Sequence, residues 1–177
     1  MKKYHTFIKS AVGIAVVFGL FKIMIIPVKV DGNSMLGTLH DGDIALLNRW
    51  SVSKKSIQRF DVVVIKSKAL NENIVKRVIG LPGETIEYKE DHLYVNGKYV
   101  KETYFNKSFV EKQKASHNTK VFTSDFKITL KSDEYFVLGD NRLNSMDSRT
   151  LGAFSINDII SAKGVVVFPP KNFGVIE

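Results

Sequence analysis

An apolar stretch near the N-terminus restricts what this chain can fold into. It runs from Ala11 to Val28, AVGIAVVFGLFKIMIIPV, with Lys22 as its only charge. A helix over these residues, rising about 1.5 Å per residue, would be roughly 27 Å long, close to the thickness of a bilayer's hydrocarbon core. Lys22 lies near the distal end, from which its long side chain can reach the interface. The stretch predicts one transmembrane helix, with residues 1–28 forming a cytoplasmic N-terminus and an anchor.

Three lysines and no acidic residue precede the apolar stretch: Lys2, Lys3 and Lys9. By the positive-inside rule they keep the N-terminus in the cytoplasm and place residues 29–177 outside the cell membrane. A cleaved signal peptide is the alternative, and it requires two small residues, one apart, soon after the apolar core. Ile23 to Val30 is bulky throughout, and the first such pair is Gly32 and Ser34. We therefore expect an uncleaved anchor.

The excess positive charge is concentrated near the N-terminus. The net charge is +8, and half of it belongs to lysines before residue 28, which leaves 22 basic against 18 acidic residues in the remainder. Proteins that bind nucleic acid generally carry a clear basic patch with interleaved aromatic residues, and this remainder does not show one. An anionic membrane surface is the expected partner, and no nucleic acid is expected. Because the chain has no cysteine, disulfide bonds and thiol chemistry are excluded.

Short runs rich in valine, isoleucine, tyrosine and phenylalanine follow the anchor and predict a mainly β domain. Glycine, aspartate, asparagine and proline separate these runs: IALLNRW, DVVVIK, NIVKRVIG, ETIEYKE, HLYVNGKYV, YFVLGD and AKGVVVF. Two turns are predicted to join antiparallel strands, a type II turn at Pro82-Gly83 and a type I′ turn at Asn96-Gly97. Tyr104 to Ser124 is polar and has no periodic pattern, so we expect a surface excursion within an insertion.

Ser34 lies in DGNSMLGTL, just beyond the apolar stretch. A serine in such a position usually only hydrogen-bonds its own turn, and a nucleophile would need a base. His40 is near in sequence, in a pattern typical of a solvated turn histidine. Lys76, in the strand-like run NIVKRVIGLPGE, is the other candidate, because a desolvated ammonium loses its proton more readily. Strand alternation can equally turn Lys76 toward solvent, so the residues alone leave these readings open.

Three segments together resemble one family. GNSMLGTLHDGD, VKRVIGLPGE and VLGDNRLNSMDSR, in this order after a single apolar span, are similar to sequence boxes of bacterial type I signal peptidases. These are membrane-bound Ser/Lys endopeptidases that remove signal peptides, and the resemblance extends from the anchor to about Val167. It implies a coiled antiparallel β-sheet catalytic domain with a small inserted β cap at approximately 84–133. It also implies a reaction that needs no metal and no cofactor.

The resemblance assigns roles position by position. It makes Ser34 the nucleophile and Lys76 the general base, with Ser145 hydrogen-bonding the lysine amine and orienting it. The backbone N–H of Ser34 would form the oxyanion hole. Asp147 and Arg149 would form a supporting ion pair that holds the last box beside the dyad. Two other charged residues of these boxes are expected to be structural: Arg77 and Asp140.

The expected substrates are secretory preproteins with small residues, usually alanine, at the first and third positions before the cut. An extended peptide can add to exposed strand edges near residues 28–33 and 73–76, so that backbone hydrogen bonds give affinity and side-chain pockets give specificity. The substrate-binding candidates are Val30, Gly32, Met35, Leu39, Ile74 and Val75. Membrane lipid is the second expected partner.

Two glycines distinguish this chain from other members of the family. Gly37 replaces the proline that usually precedes the threonine, which frees a backbone torsion and predicts a looser turn. Gly32 lies two residues before the nucleophile, where some Gram-negative relatives carry a serine that assists the oxyanion hole. A glycine there resembles the Gram-positive members.

Two alternatives share this fold. One is a protease dedicated to a single client or to itself, like the soluble, self-cleaving Ser/Lys repressor-type proteases, and the predicted anchor argues against self-processing. The other is an inactive paralogue that only binds peptides. The presence of Ser34, Lys76 and Ser145 together argues against it.

Overall fold

The structure is a computed structural model that describes residues 24–48, 52 and 56–176. Within these ranges two α-helices form, α1 (Lys107–Ser116) and α2 (Ser148–Leu151), with 3₁₀ turns at Ile156–Asp158 and Pro170–Asn172. The strands are β1 (Ile25–Lys29), β2 (Ile44–Asn48), β3 (Val62–Ser67), β4 (Glu72–Gly80), β5 (Thr85–Lys89), β6 (His92–Val95), β7 (Lys98–Val100), β8 (Phe126–Thr129), β9 (Glu134–Leu138), β10 (Phe154–Ser155), β11 (Ile159–Ser161), β12 (Gly164–Phe168) and β13 (Gly174–Ile176).

The strands form three antiparallel sheets, which confirms the mainly β prediction. The first sheet has the order β1-β2-β12-β13, and the second has the order β10-β9-β4-β3-β11. The third, which we call the cap sheet, has the order β7-β6-β5-β8 and is inserted between β4 and β9. It occupies residues 85–129, inside the range proposed for the insertion from the sequence.

The first four residues of β3, Val62 to Ile65, are all apolar and buried because this part of the strand faces a core on each side. Val63 and Ile65 belong to a cluster under the second sheet, whereas Val62 and Val64 pack with residues of the first sheet. Successive side chains of a strand point to opposite faces, so one valine-rich run can serve both cores. Burial of each such side chain contributes about 1.5–3 kcal/mol. β4, paired with β3, is thereby fixed between the two cores.

Both predicted turns are present, but one of them connects different elements from those expected. Asn96 and Gly97 have φ values of +50° and +78° and join β6 to β7, as a type I′ hairpin requires. Pro82-Gly83 has the positive φ of a type II turn at Gly83. It links β4 to β5, which lie in different sheets, so the expectation that it joins paired strands is wrong. The Glu84 carboxylate, bound by Arg59, closes this turn by accepting the Leu81 N–H.

A helix lies in the stretch that was expected to be a polar surface excursion. α1 begins after Asn106, whose side chain caps it by accepting the Ser108 N–H at 2.9 Å. None of its residues is fully buried, so the sequence has no apolar stripe to indicate a helix. An ion pair between Lys114 and Asp91 at 2.7 Å attaches the helix to the cap.

The predicted transmembrane helix does not extend to Val28. Ile25–Lys29 forms β1, which pairs with the whole of β2, and Pro27 is tolerated in an edge strand but not inside a helix. Residues 11–23, the remainder of the predicted span, lie outside the described residues, as does the segment before them. Among residues 24–48, 52 and 56–176, no helix is both long and apolar enough to cross a membrane.

A buried arginine connects the cap to the segment that carries the third sequence box. Arg142 donates to the carbonyl of Gly139 at 3.1 Å and to the hydroxyls of Tyr88 and Tyr104 at 2.9 and 2.8 Å. It also forms an ion pair with Glu102. A buried ion pair of this kind is costly to form but very destabilising to break, because the remaining charge has no partner.

We therefore expect Arg142→Met to lower the free energy of unfolding by about 3 kcal/mol, since Glu102 would remain as a nearly buried carboxylate with no cation beside it and only the hydroxyls of Tyr88 and Tyr104 as donors. Urea denaturation followed by circular dichroism measures this difference. Lys131→Met, which removes an exposed ion pair with Glu134, is the matched control and should change little. Equal effects of the two substitutions would contradict the role assigned to Arg142.

Candidate active site

Ser34 lies in a compact turn between β1 and β2. The turn is closed by hydrogen bonds from Leu36 N to Asn33 O at 3.1 Å and from Leu39 N to Met35 O at 2.9 Å. Met35 and Leu39 anchor it because both side chains are buried in the core between the first and second sheets. The Ser34 carbonyl accepts the N–H of Asn141 at 2.9 Å, which connects the turn to the third box.

Lys76 points from β4 toward this serine. Its Nζ donates to Ser34 Oγ at 2.9 Å and to the Val75 carbonyl at 2.9 Å. The residue is only 3% exposed, so the alternative of an outward-facing, solvated lysine is wrong. Burial lowers the pKa of Lys76 from 10.5 to about 8, and three carboxylates oppose the shift by attracting the charge: Asp147, Glu72 and Asp140.

His40 has a different environment. Its imidazole is exposed, and its Nδ1 lies 3.8 Å from the Asp43 carboxylate. Ser34 Oγ receives its hydrogen bond from Lys76 instead. The geometry thus distinguishes the two candidate bases, and it favours Lys76 over His40.

Asp147 and Arg149 form the ion pair that the resemblance implies. Arg149 Nε and Nη2 donate to the two carboxylate oxygens of Asp147, each at 2.8 Å, and Gly139 N–H adds a bond at 3.0 Å. Burial by itself would raise the pKa of Asp147, but these bonds hold it below its usual range. Arg149 also donates to the Arg142 carbonyl at 2.8 Å, which fixes the loop between them.

Ser145 has a buried hydroxyl oxygen beside the site but does not make the predicted hydrogen bond to Lys76. Its hydroxyl has no regular hydrogen bond to any described residue, although it faces Asp147 closely enough to help lower the pKa of that carboxyl. It packs against the backbone of Gly139, where a Cβ would lie 2.2 Å from Ser145 Oγ and 2.6 Å from the Ser34 carbonyl oxygen. Glycine at position 139 is therefore required, a constraint that the sequence alone did not indicate.

Arg77 and Asp140, expected to be structural, form the centre of a buried network. Arg77 Nε and Nη2 donate to the Asp140 carboxylate at 2.9 and 2.8 Å. Thr38 Oγ1 donates to the same carboxylate at 2.6 Å and accepts from Arg77 at 3.0 Å. This network joins the turn of Ser34, the strand of Lys76 and the third box, so it fixes the three segments that carry the site.

A cleft of about 350 Å³ leads to Ser34 between two strand edges. Among the strands of the described residues, β1 pairs with β2 alone and residues 72–76 of β4 pair with β3 alone, so each strand leaves one edge open to the cleft. The cleft is lined by Val28, Lys29, Val30, Asp31, Gly32, Ser34, Met35, Leu70, Glu72, Asn73, Ile74, Val75, Lys76 and Met146.

Five of the six substrate-binding candidates line this cleft: Val30, Gly32, Met35, Ile74 and Val75. Leu39 is not among the residues that line the cleft, and its side chain, 2% exposed, packs in the core. Leu70 and Met146 were missed, since they come from loops that approach the cleft only in the folded chain. Gly32 has a φ of +84°, and its N–H donates to Asp41 at 2.9 Å, which shapes the entrance to the turn.

Comparison with known families agrees with this geometry. A family model described as "Signal peptidase, peptidase S26" matches residues 1–168. The chain belongs to the signal peptidase family. It is therefore a serine endopeptidase, and the activity supported by its relatives is cleavage of signal peptides from preproteins.

Several relatives are similar over most of their length. Signal peptidase I T of Bacillus subtilis is 39% identical over 174 residues, covering 95% of this chain and 89% of that protein. A signal peptidase I of Bacillus amyloliquefaciens is 43% identical over 145 residues, covering 81% and 74%. The crystal structure of a signal peptidase I from Enterococcus faecalis matches with 35% identity and a TM-score of 0.49, over 60% of this chain and 95% of that one.

The buried lysine of this signal peptidase should reduce its stability. We expect Lys76→Met to raise the free energy of unfolding at pH 7 by about 1–2 kcal/mol. The lowered pKa alone corresponds to about 3 kcal/mol, from which the lost hydrogen bonds to Ser34 and Val75 subtract.

The same comparison at pH 10 should show a smaller difference. Between pH 8 and 10.5 the unfolded chain keeps a proton that folded Lys76 has released, so the stability of the unsubstituted protein rises with pH across this interval. Urea denaturation at both pH values measures the effect. Lys66→Met, on the exposed face of β3, is the control and should show neither the gain nor its pH dependence. A gain that is equal at both pH values would contradict a desolvated amine.

Proposed function

We propose that Ser34 and Lys76 form the catalytic dyad of this signal peptidase. The observation that carries the proposal is the 2.9 Å hydrogen bond between Lys76 Nζ and Ser34 Oγ at the end of an open cleft. A nucleophile and a base within hydrogen-bond reach of each other are the minimum for acyl transfer. With a pKa of about 8, a substantial share of Lys76 is neutral at mildly alkaline pH and can accept the serine proton.

The reaction follows from this pair. Ser34 Oγ attacks the scissile carbonyl carbon while the Lys76 amine removes the proton of the Ser34 hydroxyl. The tetrahedral intermediate collapses when Lys76 gives that proton to the leaving amine of the substrate. The Lys76 amine then deprotonates a water molecule, which hydrolyses the acyl-enzyme. The N–H of Ser34 donates to no acceptor among the described residues, so it is available to the developing oxyanion.

Ser145 completes the proposed catalytic group as an orienting residue. Its buried hydroxyl is not engaged in a regular hydrogen bond, and it packs against Gly139 beside the Ser34 backbone. Rotation about its Cα–Cβ bond to another staggered position would redirect the hydroxyl. We propose that it holds the Lys76 amine once Ser34 Oγ is acylated and no longer accepts from that amine.

The substrate is proposed to bind as an extended strand between the free edges of β1 and β4. Neither edge is paired with another strand of the described residues, and the Val75 carbonyl is bonded to the Lys76 side chain, so the remaining backbone groups along the cleft can take part in strand addition on either side. Val30, Met35 and Ile74 are apolar and nearly buried, so each presents little surface to the cleft. We propose that they contact the small residues expected before the cut in secretory preproteins.

We also propose that the enzyme works at the outer surface of the cell membrane, with its N-terminus in the cytoplasm. The apolar segment before Ile25 leads into β1, at an edge of the first sheet. One face of that sheet is apolar, because Ile44 pairs with Phe168, and Leu46 pairs with Val165. The large apolar side chains exposed on or beside this sheet are Met24, Ile44, Phe168, Phe173 and Val175. Such a concentration is typical of a lipid-facing surface.

The dyad predicts how activity responds to substitution and pH. Ser34→Ala and Lys76→Ala should each remove nearly all turnover, and the double variant should be little worse, because the two residues act as one unit. Ser145→Ala should be milder, with about a ten- to thousand-fold loss. The kcat/KM of the unsubstituted enzyme should rise with pH to a plateau above about 8, as Lys76 deprotonates.

The activity of these variants and its pH dependence are measured by incubating the detergent-solubilised enzyme with preproteins and sequencing the N-termini of the products. His40→Ala is the control and should retain activity, since His40 faces Asp43 and not Ser34. A kcat/KM that levels off near the ordinary histidine pKa of about 6.5, or full activity in Lys76→Ala, would refute Lys76 as the base. Cleavage of a single client would instead indicate a dedicated processing protease. If no preprotein is cleaved, the chain is a peptide-binding paralogue.

The proposed membrane arrangement has its own test. Protease added outside intact protoplasts should digest the domain beyond Val28, and N-terminal sequencing of the membrane-bound protein should find the first residues intact. Protection of the domain would contradict the orientation. A mature chain that begins near residue 35 would instead support a cleaved signal peptide.

A further inference from the structure

Gly37 and Phe109 are in contact although they belong to distant parts of the chain. Gly37 lies three residues after Ser34 in the same turn, and Phe109 lies in the first turn of α1, in the inserted cap. A Cβ at position 37 would lie 3.3 Å from Cε1 and 3.4 Å from Cζ of the Phe109 ring. The ring therefore packs directly over the backbone of the glycine.

The backbone of Gly37 explains why this position is not proline here. Its φ is +108°, which proline, fixed near −65°, does not adopt and other L-residues adopt only with strain. Glycine alone would leave the turn free to rotate about this residue. The Phe109 ring occupies the space into which the backbone would otherwise move, so the expected looseness is offset by a contact from the cap.

Other contacts hold the turn on both sides of Gly37. Met35 is buried in the core, and Thr38 is tied to Asp140 by the hydrogen bond of 2.6 Å. Gly37 is the exposed position between these two attachments, and it has no side chain of its own to pack. Phe109 therefore supplies packing at the position where the nucleophile turn lacks it.

The ring of Phe109 is itself held by a series of aromatic contacts. Its centroid lies 6.3 Å from that of Phe122, which lies 5.3 Å from Phe105, which lies 4.5 Å from Tyr104. Tyr104 packs under the Arg77 guanidinium at 4.1 Å, next to Lys76 in β4. The aromatic series that holds Phe109 of α1 against the nucleophile turn thus also contacts β4, the strand that carries Lys76.

We propose that Phe109 is a positioning residue for catalysis, which acts by restricting the turn that carries Ser34. The inference rests on the proposed role of Ser34 as nucleophile. Phe109 does not line the substrate cleft and does not contact Lys76. Its loss should therefore alter the geometry of attack, and leave substrate binding and the pKa of the base unchanged.

The kinetic test is Phe109→Ala in the full-length enzyme. We expect kcat to fall about tenfold, within the range that small misplacements of reacting groups produce, with KM changed less than twofold. The apparent pKa of the kcat/KM profile should stay at about 8, because the surroundings of Lys76 are unchanged. Phe109→Leu, which keeps most of the volume, should restore most of the activity. Val110→Ala is the matched control in the same helix, facing a groove of the cap, and should have normal kcat.

A double-mutant cycle tests the contact itself. Gly37→Ala adds a methyl group against the ring and strains the backbone, so its kcat should fall. In the Phe109→Ala background the loss of kcat caused by Gly37→Ala should be several-fold smaller, because the methyl group then has space. Losses that simply multiply, or a normal kcat in Phe109→Ala with unchanged melting temperature, would overturn the inference. Full activity in Ser34→Ala would instead overturn the proposed dyad, so the two failures are distinguishable.

Discussion

The site depends on keeping the Lys76 amine out of water. Desolvation is the only contribution that lowers its pKa, and the carboxylates of Asp147 and Asp140 act in the opposite direction. Each of these two carboxylates is paired with its own arginine, Arg149 and Arg77. An unpaired carboxylate at either position would attract the ammonium more strongly and hold the lysine protonated at neutral pH. The two buried ion pairs therefore do more than hold loops in place, because they weaken the attraction that two of the three opposing carboxylates exert on the Lys76 ammonium; Glu72 is the third.

The alternation of β4 makes this arrangement possible. Lys76 and Arg77 are neighbours and point to opposite sides of the strand, one toward Ser34 and the other toward Asp140. One strand thus supplies the proposed base and the arginine that neutralises a competing carboxylate. Its free edge over residues 72–76 faces the free edge of β1 across the cleft. Register therefore couples the chemistry to substrate binding, since a slip by one residue would exchange the two side chains.

What the sequence could predict depended on whether a feature was local. The strands, both turn types and the Asp147–Arg149 pair followed from local patterns or from motifs of the family, and the residues of the proposed dyad were chosen from the same motifs. β1 was assigned to the anchor because an edge strand of apolar residues is not distinguishable from the end of an apolar helix. Leu39 was assigned to the cleft, and the need for glycine at position 139 was not predicted, because both environments come from segments far apart in the chain. α1 was missed because it buries no residue fully.

Among the described residues, the cap contacts the segments that carry the site through Arg77, Arg142 and Phe109. Tyr104 packs on Arg77 and Phe105 on Arg142, while the side chains that line the cleft come from outside the cap sheet. The exposed surface of the cap can therefore change without altering the substrate pockets, as long as these aromatic contacts persist. The contacts to Arg77 stabilise a guanidinium whose other side holds Asp140 and Thr38. The Arg77 guanidinium, a rigid and planar group, thus connects the packing of the insertion to the nucleophile turn. Phe109 adds a second connection at Gly37, the residue between Ser34 and Leu39 that has no side chain.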